Sequence, residues 1–371
     1  MINQNKKRLK IAFFGSSLVS AYWNGAATYY RGIVRALHEK GNDIVFFEPD
    51  AYERQAHRDM EDPEWARVVV YEANPEKVFE CMDMAAGYDV IIKASGVGVF
   101  DELLEREALN LKKSDNLVIF WDVDAPATLD RLARNPRDYF NDLIPRFDLV
   151  LTYGGGEPVA KAYEERGAKQ CIPIYNALDA STHFPVNPHH DFMGDLSFLG
   201  NRLPDREKRV DEFFFLPAAL MKEHRFILGG SGWRDKPMPS NVKYKGHIYT
   251  KDHNAFNCTP KAVLNISRDS MARYGFSPAT RLFEAAGAAA CIITDYWEGI
   301  GQFLTPGEEI LVASNGREVA EILGGLSLAE AANIGQRAYK KILSNHTYSH
   351  RAEQLDQLLR AAVPGNERIM I

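Results

Sequence analysis

Short apolar runs recur along this chain, each closed by glycine or polar turn residues and each separated from the next by enough chain for a helix. The first is 9–14 (LKIAFF), broken by Gly15-Ser16-Ser17. Residues 26–40 then carry apolar side chains at helical spacing up to Gly41, and 43–47 (DIVFF) are apolar again. Strand, helix and strand in that order make a βαβ unit, with a parallel sheet and a right-handed crossover. Further runs at 67–71, 89–93, 116–121, 148–152 and 172–175 extend it into a doubly wound α/β domain. Pro185, Pro188 and the segment 187–191 break the pattern as a linker. A second series follows, with strands expected at 195–199, 225–228, 242–244 and 262–266, a helix at 205–222, and a helical tail at 327–362. Two such domains side by side leave a cleft between their strand C-termini.

The length, 371 residues with 46% hydrophobic and 25% charged, suits two domains. A net charge of −6 gives no basic field for bulk nucleic-acid binding. Cys81, Cys171, Cys258 and Cys291 are scattered among apolar residues and read as reduced and structural. The basic start leads into an apolar run too short for a secretion signal, and no transmembrane stretch is present, so a cytoplasmic location is expected.

Chemistry concentrates in the turns after strands. The turn from Gly15 to Gly25 lacks the G-x-G-x-x-G fingerprint, so a gripped dinucleotide has little support there. Ser16, Trp23, Asn24 and Gly25 belong to a loop that either lines a ligand cleft or simply joins strand to helix, and its aromatics suit a sugar face. Gly96 lies in Ser95–Gly98, after the strand at 89–93, where open α/β sheets place ligands. Asp122 and Asp124 point oppositely on extended chain; Asp124 is assigned to capping the helix that starts near Pro126, and Asp122 is the candidate general base. Gly154-Gly155-Gly156 suggests a close backbone approach or a hinge. Arg202 is either a phosphate ligand or a solvated turn residue. Among the ten histidines no HxxxH or HxH cluster stands with a nearby acid at metal spacing, His189-His190 reads as a solvated pair, and neither a P-loop nor a serine elbow occurs. No metal site is expected.

The stretch 277–295 (SPATRLFEAAGAAACIITD) reads as a helix opening at Ser277-Pro278, ending at Gly287 and feeding a buried strand. Its N-terminal N–H groups favour an anion. Arg281 and Glu284 share a face, one suited to an anionic group and the other to a pair of ribose hydroxyls. Taken alone, the same pair reads as a surface ion pair.

Five segments in order, FLGNR at 198–202, the turn Gly229 to Trp233, SPATRLFEAAGAAACIITD, FLTPGEEI at 303–310 and HTYSHR at 346–351, resemble the CgeB/YkvP-like glycosyltransferases. WNGAAT near Trp23 and WDVDAPATL near Trp121 resemble that family more loosely. The resemblance implies a GT-B architecture: an N-terminal Rossmann-like acceptor domain (1–185) and a C-terminal Rossmann-like donor domain (190–345) facing a central cleft, with 346–371 a helix crossing back. It implies a nucleotide-sugar co-substrate, no permanently bound cofactor, no obligatory metal, and transfer to an unknown hydroxyl acceptor on a glycan, protein or small molecule. Carried over by motif, Glu284 would hold the donor ribose, Arg281 and the N–H groups near Ser277 the phosphates, Gly230 to Trp233 the nucleotide wall, and Arg202 the diphosphate leaving group. Two other readings of the fold stay open, a nucleotide-sugar epimerase and a non-catalytic nucleotide-binding or surface-maturation protein.

Overall fold

The structure is a computed structural model that describes residues 7–364. The chain forms two compact units, one built up to Tyr175 and resumed from Tyr348, the other spanning Asn176–Thr347.

The first unit holds a seven-stranded sheet of β1 (Lys10–Phe14), β2 (Asp43–Asp50), β3 (Arg67–Glu72), β4 (Val90–Ala94), β5 (Leu117–Asp122), β6 (Leu149–Thr152) and β7 (Cys171–Pro173). Every pairing is parallel, in the order β3-β2-β1-β4-β5-β6-β7. The central strands β4 and β5 are buried at every position. Helices on both faces demand this, which is why those strands read as unbroken apolar runs rather than alternating ones. Lys93 on β4 is the exception in type: fully buried, its ammonium meets Asp101 and Glu105, the latter at 3.1 Å. The helix Tyr348–Ala362 buries Tyr348, Ala352, Leu355 and Leu359 in this unit and packs along the helix Ala27–Glu39. A Cβ on Gly32 would lie 2.2 Å from the Tyr348 ring, so that glycine is what admits the close approach.

The second unit carries β8 (Leu196–Leu199), β9 (Phe226–Gly229), β10 (Val242–Gly246), β11 (Ala262–Asn265), β12 (Ile292–Asp295) and β13 (Leu311–Ala313). These are again all parallel, in the order β10-β9-β8-β11-β12-β13. Its core joins Phe198, Phe214, Leu228, Trp233, Leu264 and Ile293.

Three expectations change. The helix expected over 205–222 is broken into Glu207–Val210, a wide π turn Asp211–Phe215 and Leu216–Leu220. Pro217 has no N–H to return to residue 213, and the widened turn accommodates that missing bond. Ser277 and Pro278 do not start the helix: Ala279, its N-cap, is still extended (φ −64°, ψ 145°) and the helix is Thr280–Gly287. Asp124 stands at the N-cap of Ala125–Arg134 but makes no side-chain capping bond there. Short β13 and the helices Asp269–Tyr274 and Gly316–Gly325 have no counterpart in the sequence reading.

Candidate functional site

In each sheet the strand order reverses beside the first strand, between β1 and β4 and between β8 and β11. Crossovers leave a sheet like this on opposite faces at that point, so the loops beyond the strand C-termini diverge and leave room for a ligand.

In the second unit the turns after β8 and β9 are locked together. Gly230, at φ +115°, is so close to the β8 turn that a Cβ would come within 2.2 Å of the Gly200 carbonyl oxygen. Its N–H donates to the Gly246 carbonyl at 2.7 Å and its own carbonyl accepts from the Tyr244 hydroxyl at 2.9 Å. Trp233 is completely buried, donates Nε1 to the Gly200 carbonyl at 2.7 Å and meets the Phe215 ring edge to face. The expected nucleotide wall therefore loses Trp233, which is a core residue that pins one turn to the other. Arg202 is paired with carboxylates: its guanidinium donates to Glu207 at 2.8 Å and to Asp235 at 3.1 and 3.2 Å. The bond from Arg202, with one from Lys236, holds the Glu207 carboxyl down to about 2.

The residue that sequence reasoning missed is Arg206, one turn further on. Its Nη2 donates to the Asn201 carbonyl at 2.7 Å and lies 2.7 Å from where a Cβ on Gly200 would stand. Its Nε is buried without a hydrogen-bond partner. Burial, then the charge of Arg281, push the Arg206 guanidinium down to about 10. Arg281 likewise has Nη1 buried without a partner, and burial lowers it against the support of Glu284 at 3.9 Å. Ser277 is buried too, and its Oγ has no partner. Arg206, beside the β8 turn, and Arg281, on the helix Thr280–Gly287, thus bring two repelling guanidinium groups near one another, each with an orphaned buried N–H, and Ser277 in the lead into that helix adds an orphaned buried hydroxyl. Just upstream, Phe276 holds a left-handed backbone (φ +44°) and donates its N–H to the Glu298 carbonyl at 2.6 Å.

Glu284, one turn along that helix, has His183 and His253 beside it, their ligating atoms all within 4.8 Å of one another. Burial pushes the Glu284 carboxyl up, but Arg281 and the two imidazoles outweigh it and hold it below the usual carboxylate range. Burial pushes His253 down. Sequence spacing carries no signal for this trio, because its members come from an irregular segment and two different helices.

In the first unit the β1 and β4 loops meet at the switch point. Arg54 Nη1 donates to the Ser16 carbonyl at 3.1 Å and to the Val97 carbonyl at 3.2 Å. Ser16 Oγ donates to Asn24 Oδ1 at 2.9 Å, and Asn24 Nδ2 reaches the carbonyls of Ser17 and Ser20. Trp23 stands on this braced loop at φ +47° and 78% exposed. Gly25 and Gly96, the latter at φ +66°, face open space. Asp122 does not present a base: it is fully buried, accepts from Ser95 Oγ at 2.7 Å and the Asp124 N–H at 3.0 Å, and is bonded to the Tyr163 hydroxyl. A hollow of about 620 Å³ beside Asp195, Arg225 and Lys243 lies at the opposite, N-terminal strand ends of the second sheet, away from the orphaned donors.

Among the described residues no helix is long and apolar enough to cross a membrane. Residues 206–357 match a family model described as glycosyl transferase-like. No curated protein matches the chain. Among solved structures it is similar to sucrose-phosphate synthase from Thermosynechococcus elongatus (17% identity, 95% of this chain and 99% of that chain, TM-score 0.66). It is similar also to HepE from Anabaena in complex with UDP and glucose (15%, 95% and 100%, 0.66) and to phage T4 BGT in complex with UDP-glucose (13%, 96% and 100%, 0.59). The fold, two Rossmann-like parallel sheets with their helices, is that of the GT-B glycosyltransferases.

Proposed function

We propose that this chain is a glycosyltransferase of the CgeB/YkvP-like type that moves a sugar from a nucleoside diphosphate donor to a hydroxyl acceptor, with the donor held by the second unit. The observation that carries the reading is the pair of repelling guanidinium groups, Arg206 and Arg281, each with an orphaned buried donor (Nε and Nη1), with the orphaned Ser277 Oγ just upstream in the chain. A buried donor without an acceptor costs about 1–3 kcal/mol, and a diphosphate offers acceptors and negative charge together. In transfer, the bond from the anomeric carbon to the diphosphate oxygen breaks, the acceptor oxygen takes its place, and the charge left on the diphosphate meets donors already in position. These fixed cations do the work without calling on a metal at the leaving group. Glu284, held ionised, suits the ribose hydroxyls. The braced loop with Ser16, Trp23, Asn24, Gly25 and the neighbouring Gly96 is assigned to the acceptor side. With Asp122 enclosed, the proton of the acceptor hydroxyl has no assigned base. HepE and BGT are solved with UDP or UDP-glucose, which makes UDP the first nucleotide to test.

Calorimetry with UDP is expected to show binding that Arg281→Gln weakens at least about tenfold, the worth of one charge-assisted hydrogen bond to an anion. UDP release from UDP-glucose should fall in parallel. If neither UDP, GDP nor dTDP binds the unaltered chain, the reading is wrong.

A further inference from the structure

We propose that His183, His253 and Glu284 form a binding site for one divalent transition-metal ion of the zinc or nickel kind. The ion and the donor ribose then exclude one another at Glu284. The second statement rests on the proposed function; the first does not.

The argument begins with the outer edges of the two imidazoles. His253 Nε2 lies 3.2 Å from the Ile248 carbonyl oxygen, which can only accept, so the proton sits on Nε2 and Nδ1 keeps its lone pair. His183 Nδ1 lies 2.9 Å from Thr182 Oγ1, an oxygen able to accept from it. The opposite nitrogen, Nε2, is buried with no hydrogen-bond partner in a side chain only 5% exposed. A ring whose outer N–H is fixed by an oxygen acceptor, and whose inner lone pair faces other donors, is the usual arrangement of a metal-binding histidine. Two imidazoles and one carboxylate are the borderline donor set that zinc and nickel prefer over calcium or magnesium, and three protein ligands leave a further position open.

The three ligands are held by separate contacts. A Cβ on Gly287 would fall 3.2 Å from the His183 carbonyl oxygen and 2.4 Å from Leu178, so glycine there lets the 178–183 segment lie against the helix that carries Glu284. Asn254 Nδ2 donates to the Thr182 carbonyl at 2.9 Å, tying the helix His253–Cys258 to the same segment. Arg281, 3.9 Å from Glu284, opposes a dication. That opposition gives the proposal a second signature, because removing the Arg281 charge should tighten metal binding while it weakens nucleotide binding.

The test uses the full chain freed of metal by chelation. Zn²⁺ calorimetry should give one ion per chain, and Co²⁺ should develop the visible absorption of a low-coordinate N/O site. His183→Ala and His253→Asn should each weaken Zn²⁺ by more than about tenfold, with unchanged circular dichroism confirming the fold. The double variant His189→Ala, His190→Ala removes the exposed cluster with Asp191 and should leave binding unchanged. Arg281→Gln should bind Zn²⁺ several-fold more tightly. Saturating UDP should weaken Zn²⁺, and Zn²⁺ should weaken UDP by the same factor. Absence of Zn²⁺ binding, or binding that survives loss of both His183 and His253, overturns the site even where UDP binds normally. Zn²⁺ binding through the two histidines that UDP leaves untouched upholds the site and overturns the exclusion at Glu284.

Discussion

His253 faces three charged or titratable neighbours, Glu284, Arg281 and His183, in a half-buried cluster. Burial drives its proton affinity below the ordinary imidazole value of about 6.5. The unfolded chain therefore takes up the proton more readily than the folded one. The stability due to the neutral ring is complete above pH ~6.5 and drains away as pH falls from there through the lower, folded value. In chelator, the melting temperature is expected to fall as pH is lowered through this window, and His253→Asn should flatten the fall. An equally steep fall in the variant would assign the dependence to other groups. Glu284, lowered as well, contributes in the same direction but further into acid, from the ordinary carboxylate value of 4.5 downward. Arg206, Arg281 and Ser277 act differently at this scale: their orphaned donors are a standing penalty, which is the basis of the anion site proposed above.

Elements decide which of these side chains meet. The helix Gly316–Gly325, which packs along the π turn and the helix after it, shows how sharply an end can be specified. Asn315 Oδ1 accepts from the N–H groups of Arg317 at 2.9 Å and Glu318 at 3.0 Å, while Glu318 reaches back to the Ser314 N–H at 2.8 Å. Asn315→Ala is expected to lower stability by about 1 kcal/mol, with little effect on nucleotide binding, as read by denaturant midpoint. A change below a few tenths would mean that water replaces the cap. Strands were legible because both faces of each sheet are covered, so burial prints itself as runs such as DIVFF and LVIFW. The site was legible only in part. Ser277, Arg281 and Glu284 stand on one short helix and its lead, where motif and geometry coincide. Arg206 drew no notice beside Arg202 because both follow the same turn, and only packing shows that carboxylates pair with Arg202 while Arg206 keeps an unpartnered Nε. Trp233 misled because an aromatic after a glycine turn suits a ligand face and a core equally well. His183 and His253 gave no signal, since their meeting depends on Gly287 and Asn254 rather than on spacing.

On the scale of the whole molecule, the chain leaves its first unit at Tyr175 and re-enters it at Tyr348. The returning helix buries Leu355 and Leu359 completely, and these two leucines alone are worth about 3–6 kcal/mol. That is comparable with the net stability of a typical domain, about 5–15 kcal/mol. A chain ending at Thr347 is therefore expected to lose hydrogen-exchange protection throughout residues 7–175 while 176–347 keep theirs. Equal protection in both would show that the returning helix is dispensable. The close fit of Tyr348 over Gly32 has a further consequence for biosynthesis. A ribosome that has made the first sheet has not yet made the helix that covers its Ala27–Glu39 face, and must first produce the whole of the second unit. Order of completion thus runs opposite to order of synthesis, and the nascent first unit spends that interval with an apolar helix face open to chaperones and to neighbouring chains.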